Sequence, residues 1–465
     1  MNKLKIFLFF FLIFGIVKSL DSAQIFRLHS KNGLTPEFWS QRLDHFNPLD
    51  TRTFEQQYYV DDTYWTDHSG PVFLYISGEA PMGGPVGGFV SVLAEQNNAL
   101  VLSLEHRYYG KSQPFSEYTT ENLQFLTVEQ ALTDLAQFLQ YYQKVIKTNY
   151  GIESNNWFII GGSYSGALSA WFRLKFPHLV KGSLASSGVV NPVLEFVNFD
   201  KQIATSSGTE CAGVLRKTVQ LIDVEMDASE ERNLAVKKLF NADTVDDGSF
   251  RYYIADALSL PVQYSNHSAV CDPMIKAQND GSDLIEAFAK YCQDFFYKVM
   301  KTTADQYSNW YMQKTTKTPD NWALAQRTWW WQKCTQLAYF QIAPTTNSIR
   351  SPKITLEWHK EKCEAVFGAG TWPYVDKIIR EFGSNEIKST NTYFSNGNND
   401  PWQWAGVRST LSETQPAHVI LGDSTHDCGH CIDLHEPKED DPQDLKNARI
   451  EISAYVKQWL NSEEN

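Results

Sequence analysis

The sequence predicts an α/β fold in which a mainly parallel sheet carries helices on both faces and a helical segment interrupts the chain. Short apolar runs alternate with amphipathic stretches from about residue 50 to 190, and this alternation returns after residue 350. Between 190 and 350 the strand pattern fades, and helical periodicity with many aromatic residues replaces it. Alternating strands and helices favour a parallel sheet, because parallel neighbours need a crossover connection that is usually a helix.

The individual elements follow from the apolar periodicity of each segment. Short apolar or small-residue runs bounded by turn residues indicate buried strands, and apolar residues at intervals of three and four indicate amphipathic helices. The expected strands are 71–77, 99–104, 157–160, 182–187, 392–395 and 418–421. The clearest expected helices are 127–142, 284–299 and 445–460.

The most informative segment is the glycine-rich corner that follows the strand at 157–160. Its sequence is Gly161-Gly162-Ser163-Tyr164-Ser165-Gly166, and a run with helical spacing follows it. This strand–turn–helix pattern is typical of a nucleophile elbow, in which a sharp turn lifts a serine oxygen above the sheet. The usual pattern is Gly-x-Ser-x-Gly, and here Ser165 replaces the last glycine. On this segment alone, a nucleophile at Ser163 and a plain loop between strand and helix are equally good interpretations.

The N-terminus has the features of a secretory signal peptide over residues 1–19. Lys3 and Lys5 form a basic start, an apolar core follows, and small residues offer a cleavage site. The alternative is a membrane anchor, but the apolar core is short for a bilayer, and no second stretch is long and apolar enough to cross one. We therefore expect a secreted or lysosomal protein with no membrane span, whose mature chain starts near Leu20.

Charge and cysteine content narrow the class of protein further. The formal net charge is −13 and the basic residues are scattered, so neither nucleic acid nor anionic lipid is an expected partner. Seven cysteines in an oxidising compartment predict disulfide bridges with one cysteine left over, although the pairing cannot be derived from the sequence. The sequon Asn266-His267-Ser268 predicts a glycan on Asn266. A homodimer is compatible with these features, and the oligomeric state stays open.

A serine nucleophile needs a base to accept its proton and an acid to orient that base. In hydrolases with a nucleophile elbow, these residues follow one another in the order serine, acid, histidine. The loops after the last two expected strands supply first Asp400 and then His426 and His430. Asp400 could instead belong to an ordinary turn, since Asn-Gly and Asp-Pro are turn signals by themselves. The candidate triad is therefore Ser163, Asp400 and one of the two histidines.

The same histidine-containing loop offers a metal site as an alternative. Residue types that bind zinc occur at His426, Cys428, His430, Cys431 and His435. Their spacing lacks a paired C-x-x-C and H-x-x-x-H arrangement, and a secreted chain favours bridged cysteines over thiolate ligands. We therefore expect neither a metal nor a cofactor.

Several motifs spread along the chain together resemble one known family of serine peptidases. The motifs are 41–46 (QRLDHF), 105–112 (EHRYYGKS), 127–132 (TVEQAL), 161–166 (GGSYSG), 332–336 (QKCTQ), 396–402 (NGNNDPW) and 430–433 (HCID). The family contains lysosomal Pro-Xaa carboxypeptidase, dipeptidyl peptidase II and the thymus-specific serine protease. The His-Cys-x-Asp ending most resembles the thymus-specific branch. The resemblance extends from about Gln41 to Leu460, nearly the whole mature chain.

The resemblance implies an α/β-hydrolase fold with a helical cap inserted between nucleophile and acid. The implied parts are a signal peptide (1–19), a hydrolase domain (20–190 and 350–465) and a helical cap (190–350). The implied triad is Ser163, Asp400 and His430. Backbone N–H groups of Tyr164 and of the loop around Glu79 would bind the oxyanion.

The expected activity is that of a serine exopeptidase that cleaves peptides after proline or a small apolar residue. Trp402 directly follows the Asp400-Pro401 turn and is expected to form one wall of an apolar pocket, although it could instead brace the turn. Whether the amino or the carboxyl end of the peptide is trimmed stays open. Two other classes remain: a lipase or esterase with the same triad, and an inactive binding protein on this scaffold.

Overall fold

A computed structural model describes residues 34–298, 302–316 and 322–462. The expected signal peptide, residues 1–19, lies outside the described residues. The strands within them are β1 (Glu37–Arg42), β2 (Thr53–Asp61), β3 (Val72–Ile76), β4 (Leu100–Leu104), β5 (Trp157–Gly162), β6 (Gly182–Ser186), β7 (Thr392–Gly397) and β8 (Ala417–Ile420). They form one sheet in the order β1-β2-β4-β3-β5-β6-β7-β8.

The strand pairing is antiparallel at one end of the sheet and parallel elsewhere. Strand β2 pairs antiparallel with both β1 and β4, and all pairs from β4 to β8 are parallel. This mostly parallel eight-stranded topology is that of an α/β-hydrolase, which confirms the expected fold class. Because the carboxyl ends of the parallel strands meet at one edge, the loops after β3, β5, β7 and β8 lie along the same edge.

Helices flank the sheet and also form a long segment between β6 and β7. Those that accompany the sheet are α1 (Phe89–Asn97), α2 (Val128–Tyr150), α3 (Tyr164–Lys175) and α14 (Gln443–Leu460). Those between β6 and β7 are α4 (Val197–Ser206), α5 (Thr209–Ala228), α6 (Glu230–Leu239), α7 (Asp247–Gln263), α8 (Ser268–Asp280), α9 (Leu284–Tyr291), α10 (Asn309–Lys314), α11 (Trp322–Gln332), α12 (Leu356–Phe367) and α13 (Val375–Phe382). We call residues 197–382 the helical segment. Across the described stretches of the chain, none of the helices combines the length and the apolar character that a bilayer crossing needs.

The helical segment continues beyond the boundary at residue 350 that the sequence suggested. Helix α12 is joined to α11's end by a disulfide between Cys334 and Cys363. Its Trp358 stacks on Tyr252 of α7, with ring centroids 5.4 Å apart. Both contacts attach α12 to the preceding helices, and the sheet resumes only at Thr392.

Helix α2 shows how local sequence sets the limits of an element. The hydroxyl of Thr127 accepts a hydrogen bond from the Gln130 N–H, which satisfies one of the free donors of the first turn. The helix ends where Gly151 takes a left-handed conformation with φ 73°. Its apolar face, which includes Leu135 and Phe138, is buried against the sheet.

The cysteine pairing differs from the expectation of a single unpaired cysteine, which is therefore wrong. Two disulfides join Cys211 to Cys271 and Cys334 to Cys363, whereas Cys292, Cys428 and Cys431 are buried free thiols. Cys428 packs with Ile420 in a small apolar cluster, while the Cys431 sulfur lies 3.8 Å from the carbonyl oxygen of Ser186. These two thiols therefore have different surroundings although they are three residues apart.

Candidate active site

Ser163 occupies the sharp turn between β5 and α3. Its backbone has φ 62° and ψ −125°, and a positive φ is strained for a residue with a side chain. The turn is tight enough that a Cβ at Gly161 would lie 2.1 Å from the carbonyl oxygen of Ser165. The strand–turn–helix geometry expected of a nucleophile elbow is therefore present, with Ser163 at its apex.

Ser165 stands where the usual pattern has glycine, and its side chain is accommodated within the turn. Its side chain is buried, and its hydroxyl donates to the carbonyl oxygen of Gly162 at 2.7 Å. The same hydroxyl oxygen accepts the Gly162 N–H at 3.1 Å. The serine thus satisfies its own polar group on the backbone of the turn, which makes the departure from the pattern a mild one.

Asp400 and His430 are brought together from the loops that follow β7 and β8. The Oδ2 atom of Asp400 lies 2.8 Å from Nδ1 of His430. The other carboxylate oxygen accepts the backbone N–H of Trp402 at 2.8 Å, which fixes the carboxyl group in its turn. Asp400 is fully buried and His430 is 4% exposed. His430 and Ser163 line the same cavity.

The surroundings of His430 shift the pKa of its imidazole in opposite directions. Burial lowers the pKa of the imidazole, since it penalises the charged form. The attraction and hydrogen bond of the Asp400 carboxylate, together with the effect of the neighbouring Cys431, outweigh burial, so that the pKa lies well above the ordinary value. The site is therefore built to stabilise an imidazolium, which is the form that a histidine takes after it accepts a proton.

His426, the other histidine considered for the base, lies on the surface. Its side chain is 40% exposed and its ring nitrogens lie 3.4 Å from Asp423 and 3.7 Å from Asp440. The structure thus brings His430, and not His426, to the buried carboxylate of Asp400.

Asp433, the last residue of the His-Cys-x-Asp motif, fastens the histidine loop to the sheet. Its two carboxylate oxygens accept hydrogen bonds from Ser186 at 2.5 Å and from Ser395 at 2.8 Å. These serines end or lie in β6 and β7, next to the elbow and the Asp400 loop. Burial raises the pKa of the Asp433 carboxyl group. The motif therefore ties the loop of His430 to β6, which pairs with the elbow strand β5, and to β7, which leads into the Asp400 loop.

The cavity lies at the carboxyl edge of the sheet and is shared by two parts of the chain. From the sheet side it is lined by Ser77, Glu79, Ser163, Trp402, His430 and Cys431. From the helical segment it is lined by Tyr252, Asp256, Gln263, Tyr264, Trp329 and Lys333. Glu79 is half-buried in it, and desolvation raises the pKa of its carboxyl group.

Trp402 is both a wall of the cavity and part of a packed aromatic group. Its ring lies 5.2 Å from Phe199, 5.6 Å from Phe196 and 5.7 Å from Tyr339 between centroids. The ring centroid is also 6.3 Å from that of His430. The two interpretations of Trp402 that the sequence left open are therefore compatible with each other.

The charged residues of the Glu-His-Arg-Tyr-Tyr motif make hydrogen bonds and an ion pair that stabilise the fold. The Arg107 guanidinium pairs with both oxygens of the Asp134 carboxylate at 2.6 Å, and its side chain is completely buried. The Glu105 carboxylate accepts the backbone N–H groups of Ser112 at 2.9 Å and of Met82 at 2.9 Å. Because Met82 belongs to the loop after β3, Glu105 holds the segment that presents Glu79 to the cavity.

No local pattern in the sequence indicated that the end of helix α7 reaches the loop that carries His430. The carbonyl oxygen of Gln263 accepts the backbone N–H of His430 at 2.8 Å, and Ser265 accepts that of Gly429 at 2.7 Å. These contacts join residues more than 160 positions apart, so no local pattern could have revealed them. Asn266 follows directly and is half-exposed at the start of α8.

The residues considered as zinc ligands have other neighbours. Within residues 34–298, 302–316 and 322–462, no three His, Cys, Asp or Glu side chains are grouped as a metal site would require. The His430 ring is held by Asp400, and His426 pairs with surface carboxylates.

Comparison with known proteins identifies the family. The family model described as serine carboxypeptidase S28 matches residues 41–452. The probable serine protease EDA2 of Arabidopsis thaliana is 40% identical, over 92% of this chain and 89% of its own length. The mouse thymus-specific serine protease is 27% identical over 93% of this chain and 89% of its own. Mouse lysosomal Pro-X carboxypeptidase is 28% identical over 91% of this chain and 88% of its own.

The family match confirms the resemblance that the motifs suggested and favours a peptidase over a lipase or esterase. Identities of 27% and 28% do not separate the thymus-specific branch from the carboxypeptidase branch. Since the match covers nearly the whole described chain, this protein belongs to the serine carboxypeptidase S28 family and is a serine-type peptidase.

Proposed function

We propose that the chain is an exopeptidase in which Ser163 is the nucleophile, His430 the base and Asp400 the residue that orients the base. One observation carries the proposal: Asp400 holds His430 at 2.8 Å at the edge of the cavity that Ser163 also lines. The three residues come from separate loops at the carboxyl edge of the sheet, in the order serine, acid, histidine.

The reaction would proceed in two halves. In the first, Nε2 of His430 takes the proton of the Ser163 hydroxyl while Oγ attacks the scissile carbonyl carbon, and the Asp400 carboxylate stabilises the imidazolium. His430 then returns the proton to the leaving amine, so that the peptide bond breaks and an acyl-enzyme remains. In the second half, water attacks the acyl carbon while His430 takes its proton. The ester bond to Oγ then breaks, His430 returns the proton to Ser163, and the peptide leaves with a new carboxylate.

The oxyanion of each tetrahedral intermediate would be bound by backbone N–H groups. The N–H of Tyr164 lies in the first turn of α3, where helix donors have no partner within the helix. The second donor would be the N–H of Glu79, in the loop after β3 that Glu105 holds in place. Such donors typically contribute about 3–4 kcal/mol each to lowering the barrier.

An exopeptidase is favoured because the helical segment lies over the catalytic residues. Residues of α7 and α11 line the cavity together with Ser163 and His430. We propose that this segment acts as a cap, which admits a peptide end more readily than the middle of a long chain. The aromatic rings of Trp402 and Phe199 offer an apolar wall that suits proline, which has no N–H to satisfy, or a small apolar residue.

We further propose that the protein enters the secretory pathway and acts in lysosomes or outside the cell. The basic and apolar pattern of residues 1–19 supports this, and one relative is described as lysosomal. N-terminal sequencing of the stable protein should begin near Leu20. Retention of Met1 would contradict the proposal.

The proposed function is tested by the products of a small peptide library. Peptides with free ends, a blocked amino end or a blocked carboxyl end would be incubated with the purified enzyme and analysed by mass spectrometry. We expect release of short fragments from one end only, with proline or a small apolar residue before the cut. Cleavage of peptides blocked at both ends would contradict an exopeptidase, and hydrolysis of esters but not peptides would favour the esterase.

A further inference from the structure

Gln263 is the point where the helical segment meets the catalytic histidine. It is the last residue of α7, and only 6% of it is exposed. Its backbone oxygen accepts the N–H of His430 at 2.8 Å. Its side-chain oxygen accepts the indole N–H of Trp402 at 2.9 Å. One buried residue of the cap thus contacts both the histidine loop and the Asp400 loop.

The backbone contact follows from the position of Gln263 in its helix. The last carbonyl groups of a helix have no N–H partner within the helix and need one elsewhere when they are buried. The N–H of His430 provides that partner. The hydrogen bond therefore satisfies the helix end and fixes the backbone of the base at the same time.

The side chain of Gln263 holds one of the two rings that flank the imidazole. The Trp402 ring lies 6.3 Å from the His430 ring, and the Tyr264 ring lies 5.9 Å from it, between centroids. The amide oxygen of Gln263 accepts the indole N–H of Trp402 at 2.9 Å. Tyr264 is the next residue along the chain. Gln263 therefore holds Trp402 through its side chain and precedes the second ring directly.

We propose that Gln263 is a positioning residue for the catalytic base, which makes alignment of His430 depend on the cap. The side chain keeps the Trp402 ring in place, and that ring limits rotation of the imidazole away from Ser163. The inference rests on the triad proposed above. Gln263 touches no reacting atom in this proposal, so its effect reaches the reaction only through His430 and the cavity wall.

Two substitutions at this position separate positioning from simple stabilisation. Gln263→Met keeps the length of the side chain but removes its hydrogen bond to Trp402. Gln263→Glu keeps an oxygen that accepts the Trp402 N–H, and it adds a negative charge near His430. A matched control is Gln143→Met, because Gln143 also accepts an indole N–H, that of Trp157 at the far end of β5, at 2.8 Å.

For Gln263→Met we expect kcat, and the rate at which a fluorophosphonate labels Ser163, to fall about tenfold, with KM changing less. The loss of one neutral hydrogen bond is equivalent to a factor of about 2 to 12, and the expected fall lies within this range. For Gln263→Glu we expect near-normal kcat at high pH. The added carboxylate should raise the pKa of His430, which moves the acid limb of kcat/KM to higher pH. Gln143→Met should leave kcat and the pH profile unchanged.

The inference would be overturned if folded Gln263→Met and Gln263→Glu kept the kcat, the labelling rate and the pH profile of the wild type. An equal loss in Gln143→Met would overturn it too, since it would show a general effect of weakened packing. If Gln263→Met fails to fold, the pH profile of Gln263→Glu still tests the inference. An acid limb that does not shift would contradict a positioning role for Gln263. A Ser163→Ala variant that stays active would instead refute the triad itself, which distinguishes the two failures.

Discussion

The carboxylate of Asp400 and the imidazole of His430 meet at 2.8 Å across the edge of the sheet, each on a loop that follows a different strand. Asp400 is completely buried, so water cannot weaken its attraction for the ring. In the proposed mechanism, the pair therefore sets both the orientation of His430 and the pH at which its ring is free to accept a proton.

Removing the charge of Asp400 should change the pH dependence in a known direction. The carboxylate raises the pKa of His430, and the base must be neutral to act, so wild-type activity falls as the pH drops through this raised pKa. In Asp400→Asn the pKa of His430 should fall, and the acid limb should move to lower pH. The maximum rate should also drop by about 10⁴-fold, because the tautomer is no longer held.

The measurement for this prediction is the pH profile of fluorophosphonate labelling of Ser163. Asp423→Asn is the matched control, since Asp423 is an exposed carboxylate beside His426. An acid limb that stays in place in Asp400→Asn, or moves to higher pH, would show that Asp400 does not control the base.

The two histidines of the last loop should behave differently when replaced. His430→Gln should abolish turnover, because it removes the proposed proton acceptor, which lines the same cavity as Ser163. His426→Gln should leave kcat/KM within about twofold of wild type, because a surface histidine paired with exposed carboxylates contributes little. Steady-state kinetics on one peptide substrate compares them. A dead His426→Gln with an active His430→Gln would reverse the assignment.

Trp402 should matter most for substrates with proline before the cut. Trp402→Ala removes a flat apolar wall, and we expect kcat/KM for a proline peptide to fall by about 10- to 200-fold relative to an alanine peptide. Trp404→Ala is the control, since Trp404 is 38% exposed and bonds to Gln202. Equal losses on both peptides would indicate that Trp402 only braces the Asp400 turn.

The disulfide between Cys334 and Cys363 should contribute to the stability of the helical segment. It closes a loop with a sequence separation of 29 residues and fastens α12 to the turn that directly follows α11. Replacing both cysteines by serine should lower the free energy of unfolding by about 2–4 kcal/mol. Chemical denaturation of the variant under oxidising conditions measures this. An unchanged midpoint would mean that packing around Trp358 alone secures the helix.

Much of the sheet could be predicted because its central strands are buried on both faces. Val72–Ile76 and Leu100–Leu104 are almost purely apolar, so their runs stand out in the sequence. Strand β2 was missed because Gln56 and Gln57 interrupt its apolar pattern at buried positions. The structure satisfies these amides internally: Gln56, for instance, donates to the carbonyl oxygen of Glu105 at 2.8 Å. Such compensation depends on tertiary contacts and leaves no local signal.

The residues of the candidate site also differ in whether a local sequence pattern predicts them. Ser163 and Asp400 could be predicted because each follows a strand in a turn with characteristic residues. His430 was separated from His426 only by family resemblance, since both lie in the same loop. The part played by Gln263 could not be predicted, because its partners His430 and Trp402 are distant in the sequence.

The most direct test of the account is the activity of purified Ser163→Ala on a peptide with proline before the cut. We predict a loss of about 10⁴- to 10⁶-fold in kcat, together with complete loss of fluorophosphonate labelling. The circular dichroism spectrum and Tm should match the wild type, because the change removes one oxygen that faces the cavity. Turnover near the wild-type rate in this variant would contradict the assignment of Ser163 as the nucleophile, and with it the proposed mechanism.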